Sequence, residues 1–379
     1  MDIDKILTFH SKNKGKIKIE VASKIENKED LSLAYTPGVA EVSKAIAKNP
    51  EKIFDYTIKS HTVAIVSDGS AVLGLGNIGA EAAIPVMEGK AALFKTFAGL
   101  DAFPICLKTQ VPSEIINIVK NISPVFGGIN LEDISAPRCF EIENALQDLG
   151  IPVMHDDQHG TSVVVLAGLI NAAKVVGKKL EDLTVVVNGA GAAGNAISKL
   201  LSEKVKNVIV VDSRGIVSTD RAGLDPYKKL LTEVTNKNNL SGGLKDAMKN
   251  ADVFIGVSKA NLLTSADIKL MNKGAIVFAM ANPVPEIMPE EAKKGGAAIV
   301  ATGRSDMPNQ VNNSLAFPGI FKGALEIRAK KITKEMKIAA AEALAKLVEN
   351  PTAEKIVPGP FDEGVAETVG HAVKESAST

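Results

Sequence analysis

The chain has 379 residues, of which 45% are hydrophobic and 23% are charged. This length exceeds that of one ordinary domain and predicts two domains, each able to bury its own core. Lys plus Arg and Asp plus Glu both total 44, so the formal net charge is zero. That balance, with 4% aromatic residues and no Trp, excludes the basic field and the stacking platforms typical of a nucleic-acid-binding protein.

The amino-terminal residues and the cysteines indicate a cytoplasmic protein. Residues 1–5 lead into polar sequence rather than into the apolar core of a signal peptide. The longest apolar stretch, near residues 163–173, is far shorter than the roughly 20 residues of a membrane helix. Cys106 and Cys139 form neither a CxxC pair nor a disulfide framework, as expected in a reducing compartment. We therefore expect a small-molecule partner, with no nucleic acid and no membrane.

The first 160 residues alternate between helical and strand-like segments. Residues 1–60 are predicted to be helical and polar, with an interruption where Pro37 ends regular structure and Gly38 allows a tight turn. The predicted strands that follow are 63–66, 103–107 and 124–129, and the predicted helices are 80–98 and 112–122. This alternation favours an α/β layer with a largely parallel sheet.

A second α/β series follows a predicted helix over residues 161–178. Its strands are near-continuous apolar runs at 184–187, 208–211, 253–256 and 275–278. Runs of this kind are typical of parallel strands that are buried on both faces. The fold class is therefore α/β with two domains.

A glycine-rich turn follows the first strand of that series and opens a helical run. The glycines let the backbone approach a pyrophosphate at the helix N-terminus, and an acidic residue 18 positions later can accept from the ribose hydroxyls. The cofactor-binding candidates are Gly189, Gly191, Ala192, Ala193, Gly194 and Asp212. We predict a Rossmann-type dinucleotide-binding domain in the carboxyl-terminal half, over residues 161–313. Residues 1–160 then form the amino-terminal substrate domain, joined by a helical tail at 314–379.

Gly74, Gly76 and Gly79 form a second GxGxxG sequence, but its context differs. A turn at 67–70 precedes it in place of a clean strand, and Pro85 requires the following helix to start late or to kink. We interpret this sequence as a tight packing turn or a substrate-side loop rather than as a second nucleotide site.

Asp212 also bears on the choice of dinucleotide. A carboxylate at this place repels the 2′-phosphate of NADP and can hydrogen-bond the free hydroxyl of NAD. Arg214 would reverse that preference if it paired with the phosphate. The pattern favours NAD, with NADP as the alternative.

Two acidic pairs, Glu132–Asp133 and Asp156–Asp157, lie at the ends of apolar stretches. Adjacent carboxylates repel each other unless a cation neutralises them, and Arg138 supplies only part of that charge. Oxygen ligands of this kind suit Mg²⁺ or Mn²⁺ rather than zinc. His155 and His159 have the i,i+4 spacing of a zinc-binding helix, but the intervening Asp-Asp-Gln lacks a glutamate base. We expect them to be surface histidines beside a loop.

Eight short blocks occur in order along the chain. They are 33–40, 67–69 with 73–76, 89–93, 131–133, 155–161, 189–194, 281–283 and 312–313. In this order they resemble a malic enzyme of the short prokaryotic type. Any one block would be weak evidence, whereas the ordered set is specific.

The resemblance implies the oxidative decarboxylation of malate to pyruvate and CO₂, with NAD(P) and a divalent metal. It places the general base on Lys90 and the proton donor to the enolate on Tyr35, with Asp156 as a neighbouring proton-handling carboxylate. A homodimer is also implied, in which Tyr35 acts in its own or in the neighbouring site.

The same resemblance supplies the binding residues. The implied metal ligands are Glu132, Asp133 and Asp157, and the substrate-contacting asparagines are Asn282, which also reaches the cofactor, and Asn313. One position departs from the long eukaryotic members, because Ala71 stands where they carry an arginine that clamps a malate carboxylate. The sequence names no replacement.

The chemistry of the implied base depends on its surroundings. A free lysine is protonated at neutral pH, so we expect burial or a nearby positive centre to depress the pKa of Lys90.

Two other functions compete with the malic enzyme interpretation. A metal-independent amino-acid dehydrogenase would not need the acidic pairs, and a non-catalytic NAD-sensing module would need neither Lys90 nor Tyr35.

Overall fold

The computed structural model describes residues 2–72 and 74–377. Leu73, which belongs to the 73–76 block, lies outside the described residues, as do Met1, Ser378 and Thr379. The α-helices are α1 (Ile3–Asn13), α2 (Lys28–Ala34), α3 (Val39–Lys48), α4 (Ile53–Tyr56), α5 (Gly79–Leu93), α6 (Pro112–Ile122), α7 (Arg138–Leu146), α8 (Asp156–Val175), α9 (Ala192–Ser202), α10 (Pro226–Val234), α11 (Leu244–Met248), α12 (Ser265–Ile268), α13 (Pro289–Lys294), α14 (Phe317–Glu326), α15 (Lys334–Lys346) and α16 (Val365–Ser376). The strands are β1 (Thr62–Ser67), β2 (Asp101–Cys106), β3 (Gly128–Leu131), β4 (Val153–His155), β5 (Thr184–Asn188), β6 (Asn207–Asp212), β7 (Gly215–Ile216), β8 (Val253–Gly256), β9 (Ala275–Ala279) and β10 (Ala297–Thr302).

The first sheet has four parallel strands in the order β2-β1-β3-β4. Its central strand β1 is buried throughout, and its alternate side chains enter two cores. Val63 and Ile65 pack in one core, while Ala64 and Val66 pack in the other. This alternation follows from the two-residue period of a strand. Because the strands are parallel, their carboxyl ends meet at one edge of the sheet.

The second sheet has the strand order β10-β9-β8-β5-β6-β7. All its pairs are parallel except the short β7, which runs antiparallel to β6. The chain leaves β5 toward β6 on one side and returns to β8 on the other. Ligands bind at such a topological switch point, beyond the carboxyl ends of the strands. Together the two sheets confirm the predicted α/β fold with a Rossmann-type carboxyl-terminal half.

Helix α8 lies in the centre of the molecule. Its residues 162–169 are all buried, and it packs against α9 on one side and α15 on another. This burial explains the long apolar stretch, which belongs to a core helix. Among the helices of the described residues, none combines the length and apolarity of a membrane span.

Two helix predictions need correction. Helix α8 begins at Asp156 rather than at 161, because acidic side chains stabilise the first turn of a helix. Helix α5 starts at Gly79 and continues through Pro85. The burial of Ala83, Met87 and Ala91 stabilises the helix by more than the loss of the one backbone hydrogen bond that proline cannot donate.

The carboxyl-terminal helices α14 to α16 pack against earlier parts of the chain. The rings of Phe317 and Phe321 in α14 lie 4.7 and 5.5 Å from that of Phe94, which follows α5. Helix α15 packs on α8, and α16 packs on α14 and α15.

The amino-terminal helices α1 to α4 differ from the rest of the molecule, since none of them contains a buried residue. Large apolar side chains are exposed along this segment, among them Ile3, Leu7, Phe9, Ile19, Val21, Leu33 and Tyr35. Such a surface is unusual for a part of a folded monomer.

Candidate active site

Acidic side chains gather at the carboxyl-terminal edge of the first sheet. Glu132 and Asp133 follow β3 directly, and Asp156 and Asp157 form the first turn of α8 immediately after β4. Because β3 and β4 are neighbouring parallel strands, the two acidic pairs lie side by side.

Three of these carboxylates form a cluster. Glu132, Asp133 and Asp157 each offer one oxygen, and the three oxygens lie within 4.8 Å of one another. Burial, and then the charge of Asp157, raise the pKa of Asp133 to about 7. Within residues 2–72 and 74–377, Oδ2 of Asp133 is buried without a hydrogen-bond partner. A close set of hard oxygen ligands with unsatisfied charge fits Mg²⁺ or Mn²⁺.

Lys90 projects from α5 into the same cluster. Its Nζ lies 2.8 Å from Glu132 Oε1, contacts Asp156 Oδ2 and stands 4.2 Å from the centre of the Phe317 ring. Burial by itself would lower the pKa of Lys90, but Asp156, Glu132 and Asp157 outweigh burial and raise it. The protein's own side chains therefore do not lower the pKa of Lys90 as expected from the sequence, because the carboxylates that hold the amine also stabilise its charged form.

Asp156 is fully buried beside this amine. Burial raises the pKa of Asp156 to about 6, against the opposing charge of Lys90. A Cβ at Gly160, one turn later, would overlap Asp156 Oδ1. Only glycine at 160 therefore leaves room for this carboxyl group, which is why the 155–161 block contains one.

A cavity of about 590 Å³ opens beside the cluster. Asp157, Asn282 and Asn313 line it, so three of the predicted site residues share one space. Gly74 and Gly76 of the second glycine sequence line it as well, which places that sequence on the substrate side.

A second cavity, of about 680 Å³, lies beyond the carboxyl ends of β5 and β6. Gly189, Gly191 and Asp212 line it, and α9 begins at its edge. Gly189 adopts φ +125°, and a Cβ there would lie 2.7 Å from the carbonyl oxygen of Val257, so only glycine fits. The two cavities share three lining residues, Ala136, Gly191 and Ser258, and therefore form one cleft.

The malic enzyme N-terminal domain matches residues 12–147, and the malic enzyme NAD-binding domain matches residues 158–377. The chain belongs to the malic enzyme family.

Individual relatives agree with this membership. A bifunctional malic/malolactic enzyme of Bacillus subtilis is 53% identical, over 99% of this chain and 92% of the relative. An NAD-dependent malic enzyme of Geobacillus stearothermophilus is 57% identical, over 95% of this chain and 76% of the relative. The crystal structure of an NAD-dependent malic enzyme from Thermotoga maritima superposes with a TM-score of 0.95 at 54% identity, covering 99% of each chain.

Membership in the malic enzyme family confirms the reaction class that the sequence blocks implied. It is the oxidative decarboxylation of malate with reduction of NAD or NADP, and it depends on a divalent metal. Neither the amino-acid dehydrogenase nor the NAD-sensing module is supported.

Asp212 ends β6 and is fully engaged by neighbouring donors. Its Oδ2 lies 2.5 Å from Arg221 Nη2 and 3.0 Å from Lys228 Nζ. Burial would raise its pKa, but Arg221, the backbone of Arg214 and Lys228 hold the pKa of Asp212 at about 2. The guanidinium of Arg214 donates to Gly223 O at 2.8 Å, so the side-chain cations that contact Asp212 are Arg221 and Lys228.

The two histidines are not surface residues. His155 is fully buried at the end of β4, and its Nε2 lies 3.2 Å from Asp157 Oδ2. His159 Nε2 lies 3.1 Å from Glu143 Oε2, and its Nδ1 lies 3.1 Å from Lys337 Nζ. The prediction failed because the 155–159 block is a buried helix start rather than a loop.

Tyr35 is not brought to the cluster. It follows α2, its side chain is 66% exposed, and it lines neither cavity. Ala71, in contrast, lines the substrate cavity, and among the described residues that line this cavity there is no Lys or Arg. The nearby Arg138 instead lies 3.3 Å from Asp68 Oδ2 and donates to Ser135 Oγ at 2.9 Å.

Sequence reasoning missed three further residues of the cleft. Thr161 and Asn312 line the substrate cavity, and both stand inside blocks that the sequence had singled out. Glu286 is fully buried and accepts from the backbone of Ser258 and Ala281 at 3.0 Å each, which holds the loops after β8 and β9 together. No local signal in the sequence distinguishes this glutamate from an exposed one.

Proposed function

We propose that the cleft between the two sheets is where this chain converts L-malate to pyruvate and CO₂, with Lys90 as the general base. Its contact with both Asp156 and Glu132, beside the carboxylate cluster, is the observation that carries the proposal. Glu132, Asp133 and Asp157 would hold the divalent metal, since their oxygens converge and Asp133 Oδ2 has no hydrogen-bond partner among the described residues.

The protein's own groups supply the route for the proton. The dinucleotide, beside Gly189 and Gly191, would supply a hydride acceptor, and the metal, held by Glu132, Asp133 and Asp157, would supply a Lewis acid. Lys90 must be neutral at Nζ to accept the hydroxyl proton. Asp156 Oδ2 contacts that Nζ, so it is the carboxylate beside the lysine that would exchange a proton with it once a bound metal offsets the negative charge that raises the pKa of Lys90.

Asn282 and Asn313 are proposed to orient the substrate. Both line the cavity beside Asp157, and their side-chain amides can donate to carboxylate oxygens without adding charge. Asn282 lines the same cavity as Gly191 and Ser258, which supports a second role for it in contacting the cofactor.

We propose that Tyr35 donates its proton in the site of a second copy of the chain, within a homodimer. The exposed apolar side chains of α1 to α4 give that copy a surface to cover. A tyrosine that is 66% exposed and lines neither cavity of its own chain has to reach a reacting carbon elsewhere.

Mixing two inactive variants tests this arrangement. In a dimer of Tyr35→Phe and Lys90→Ala chains, one of the two sites regains both residues only if Tyr35 crosses over. An equal mixture that is unfolded and refolded together should recover about a quarter of wild-type activity, as half the dimers are mixed and half their sites are intact. No recovery would place Tyr35 in its own chain's site.

The domain organisation that we propose keeps the boundaries expected from the sequence. Residues 1–160 with the tail 314–379 form the substrate domain, and residues 161–313 form the NAD(P)-binding domain. The contacts of Phe317 and Phe321 with Phe94 support the return of the tail to the first domain. The free thiols Cys106 and Cys139 support a cytoplasmic location.

We propose NAD as the preferred cofactor, supported by Asp212 at the end of β6. An assay with L-malate, NAD or NADP and Mn²⁺, with and without chelator, tests both function and preference. Chelator-sensitive absorbance of reduced nicotinamide with equal CO₂ and pyruvate is expected, with the higher kcat/KM for NAD. Lactate should be measured as well, since a relative is named a malic/malolactic enzyme. Reduction without CO₂ would contradict the proposal.

A further inference from the structure

Glu143, which the reaction described above does not use, lies on α7 and faces the first turn of α8. It is buried, and it accepts hydrogen bonds from three groups of the 155–161 block. Oε1 accepts from the backbone N–H of His155 at 2.9 Å, and Oε2 accepts from Gln158 Nε2 at 2.9 Å. His159 Nε2 lies 3.1 Å from the same Oε2.

A buried carboxylate remains charged only when donors surround it. Burial would raise the pKa of Glu143, but His159, Lys337 and His155 outweigh burial and lower it to about 2. Glu143 is therefore a fixed anion around which the start of α8 is arranged. Its three bonds hold one backbone group and two side chains of a single helical turn.

The side-chain amide of Gln158 links Glu143 to His155. One hydrogen of its amide nitrogen goes to Glu143, and the nitrogen also lies 3.1 Å from His155 Nδ1. A donor facing Nδ1 favours the ring tautomer that carries its proton on Nε2. Nε2 lies 3.2 Å from Asp157 Oδ2, in a charge contact whose alignment is not that of a hydrogen bond.

The Asp157 carboxylate contacts two groups behind it. Oδ2 lies 3.2 Å from His155 Nε2 and accepts a hydrogen bond from the backbone N–H of Asp133 at 2.8 Å. One oxygen of Asp157 lies within 4.8 Å of oxygens of Glu132 and Asp133. Groups behind a ligand that orient it in this way tune metal affinity by about 10- to 100-fold.

We propose that Glu143 is a positioning residue for the metal site. Through Gln158 and His155 it sets the orientation of the Asp157 carboxylate, although it touches neither substrate nor metal. This inference rests on the ligand role proposed for Asp157. A positioning role differs from that of an acid that only joins α7 to α8. Loss of a purely structural contact would lower the stability of the fold, but the protein that remains folded would bind the metal ion with unchanged affinity.

Direct Mn²⁺ binding tests the inference without relying on turnover. Electron paramagnetic resonance measures free Mn²⁺ in titrations of the full chain, and circular dichroism with thermal unfolding shows that each variant is folded. Glu143→Gln keeps the shape but turns an amide N–H toward the donors of the block, so the dissociation constant for Mn²⁺ should rise about 10-fold or more. The matched control is Glu141→Gln, an exposed acid on the same helix, which should bind Mn²⁺ as the wild type does.

The remaining outcomes separate this inference from the proposed function. If Asp157→Asn binds Mn²⁺ like the wild type, the ligand set is wrong. If Asp157→Asn weakens binding and folded Glu143→Gln does not, only the positioning role is overturned. If Glu143→Gln fails to fold, Gln158→Leu, which removes the donor to His155 Nδ1, takes its place. A several-fold weaker affinity supports the role of this network, and an unchanged affinity overturns it.

Discussion

Acidic side chains line both cavities of the cleft, and their electrostatic surroundings differ. Asp212, on the nucleotide side, is matched by Arg221 and Lys228, and its pKa is held at about 2. Asp133, on the metal side, lies among other carboxylates, and its pKa is raised to about 7.

The difference shows which charges the chain neutralises by itself. Side-chain cations complete the environment of Asp212, so this part of the nucleotide site is preformed. At the metal cluster, Lys90 is the single cationic side chain of the described residues that reaches Glu132 within 4 Å, and it is shared with Asp156. Three convergent carboxylates with one shared lysine retain excess negative charge, which a divalent cation balances.

The largest effect is expected at Lys90, the lysine that contacts both Glu132 and Asp156. Lys90→Ala should abolish turnover, a loss of more than about 10³-fold, because it removes the base that accepts the hydroxyl proton. NAD binding, measured by fluorescence titration, should stay nearly unchanged, since Lys90 does not line the nucleotide cavity. Lys95→Ala, an exposed neighbour paired with Asp101, is the control. Wild-type malate oxidation by Lys90→Ala would remove the base assignment.

The next effect concerns the metal ligands. Asp157→Asn removes one charge from the cluster and should raise the Mn²⁺ concentration for half-maximal activity by about 10- to 100-fold. Initial rates across a Mn²⁺ series give this value. Asp182→Asn, an exposed acid just before β5, should leave it unaltered. Unchanged metal dependence in Asp157→Asn would exclude Asp157 from the ligand set.

A smaller effect is expected on the nucleotide side, where the acid is already neutralised. Asp212→Asn releases Arg221 and Lys228, which can then pair with the 2′-phosphate of NADP. The ratio of kcat/KM for NAD to that for NADP should fall by about 10-fold. Adding Arg221→Ala to Asp212→Asn should cancel much of the increase in kcat/KM for NADP. The control Asp220→Asn, at an exposed acid, should leave the NAD-to-NADP ratio unchanged. An unaltered ratio in Asp212→Asn would mean that other groups choose the dinucleotide.

The smallest effect is on stability in acid. The folded-state pKa of Asp212, about 2, lies below its ordinary value of 3.8. A lowered carboxyl pKa adds stability that is present above the ordinary value and is lost as the pH falls through about 4 toward about 2. The gap in thermal midpoint between the wild type and Asp212→Asn should therefore narrow from about pH 6 to about pH 3. A gap that stays constant would argue against the ion pairs as its source.

Strands that are buried on both faces were predictable nearly to the residue. The runs at 184–187, 208–211, 253–256 and 275–278 became β5, β6, β8 and β9, because a strand covered on both sides has only apolar residues. Strand β4 was missed, since it has three residues and ends in the polar His155. Strand β10 was missed because its alanine-rich sequence has weak strand propensity.

The residues in and around the cleft also divide into those that the sequence predicted and those that it did not. Lys90, Asn282 and the acidic pairs were predictable because their chemistry and order in the chain match those of malic enzymes. Glu143 and Glu286 were not, since a glutamate that is buried by tertiary packing has the same local sequence as an exposed one.

The sequence by itself determined the α/β class, the glycine loop after β5 and the family to which the chain belongs, since each depends on residues that are close together or in a set order. The tertiary structure decided which charges meet. It placed Lys90 between Glu132 and Asp156, gave Asp212 the partners Arg221 and Lys228, and buried His155 behind Asp157. The Lys90 pairings join residues that are distant along the chain, and the packing of α5 against the edge of the parallel sheet brings them into contact. The other pairings join residues closer in sequence, whose burial depends on the tertiary packing.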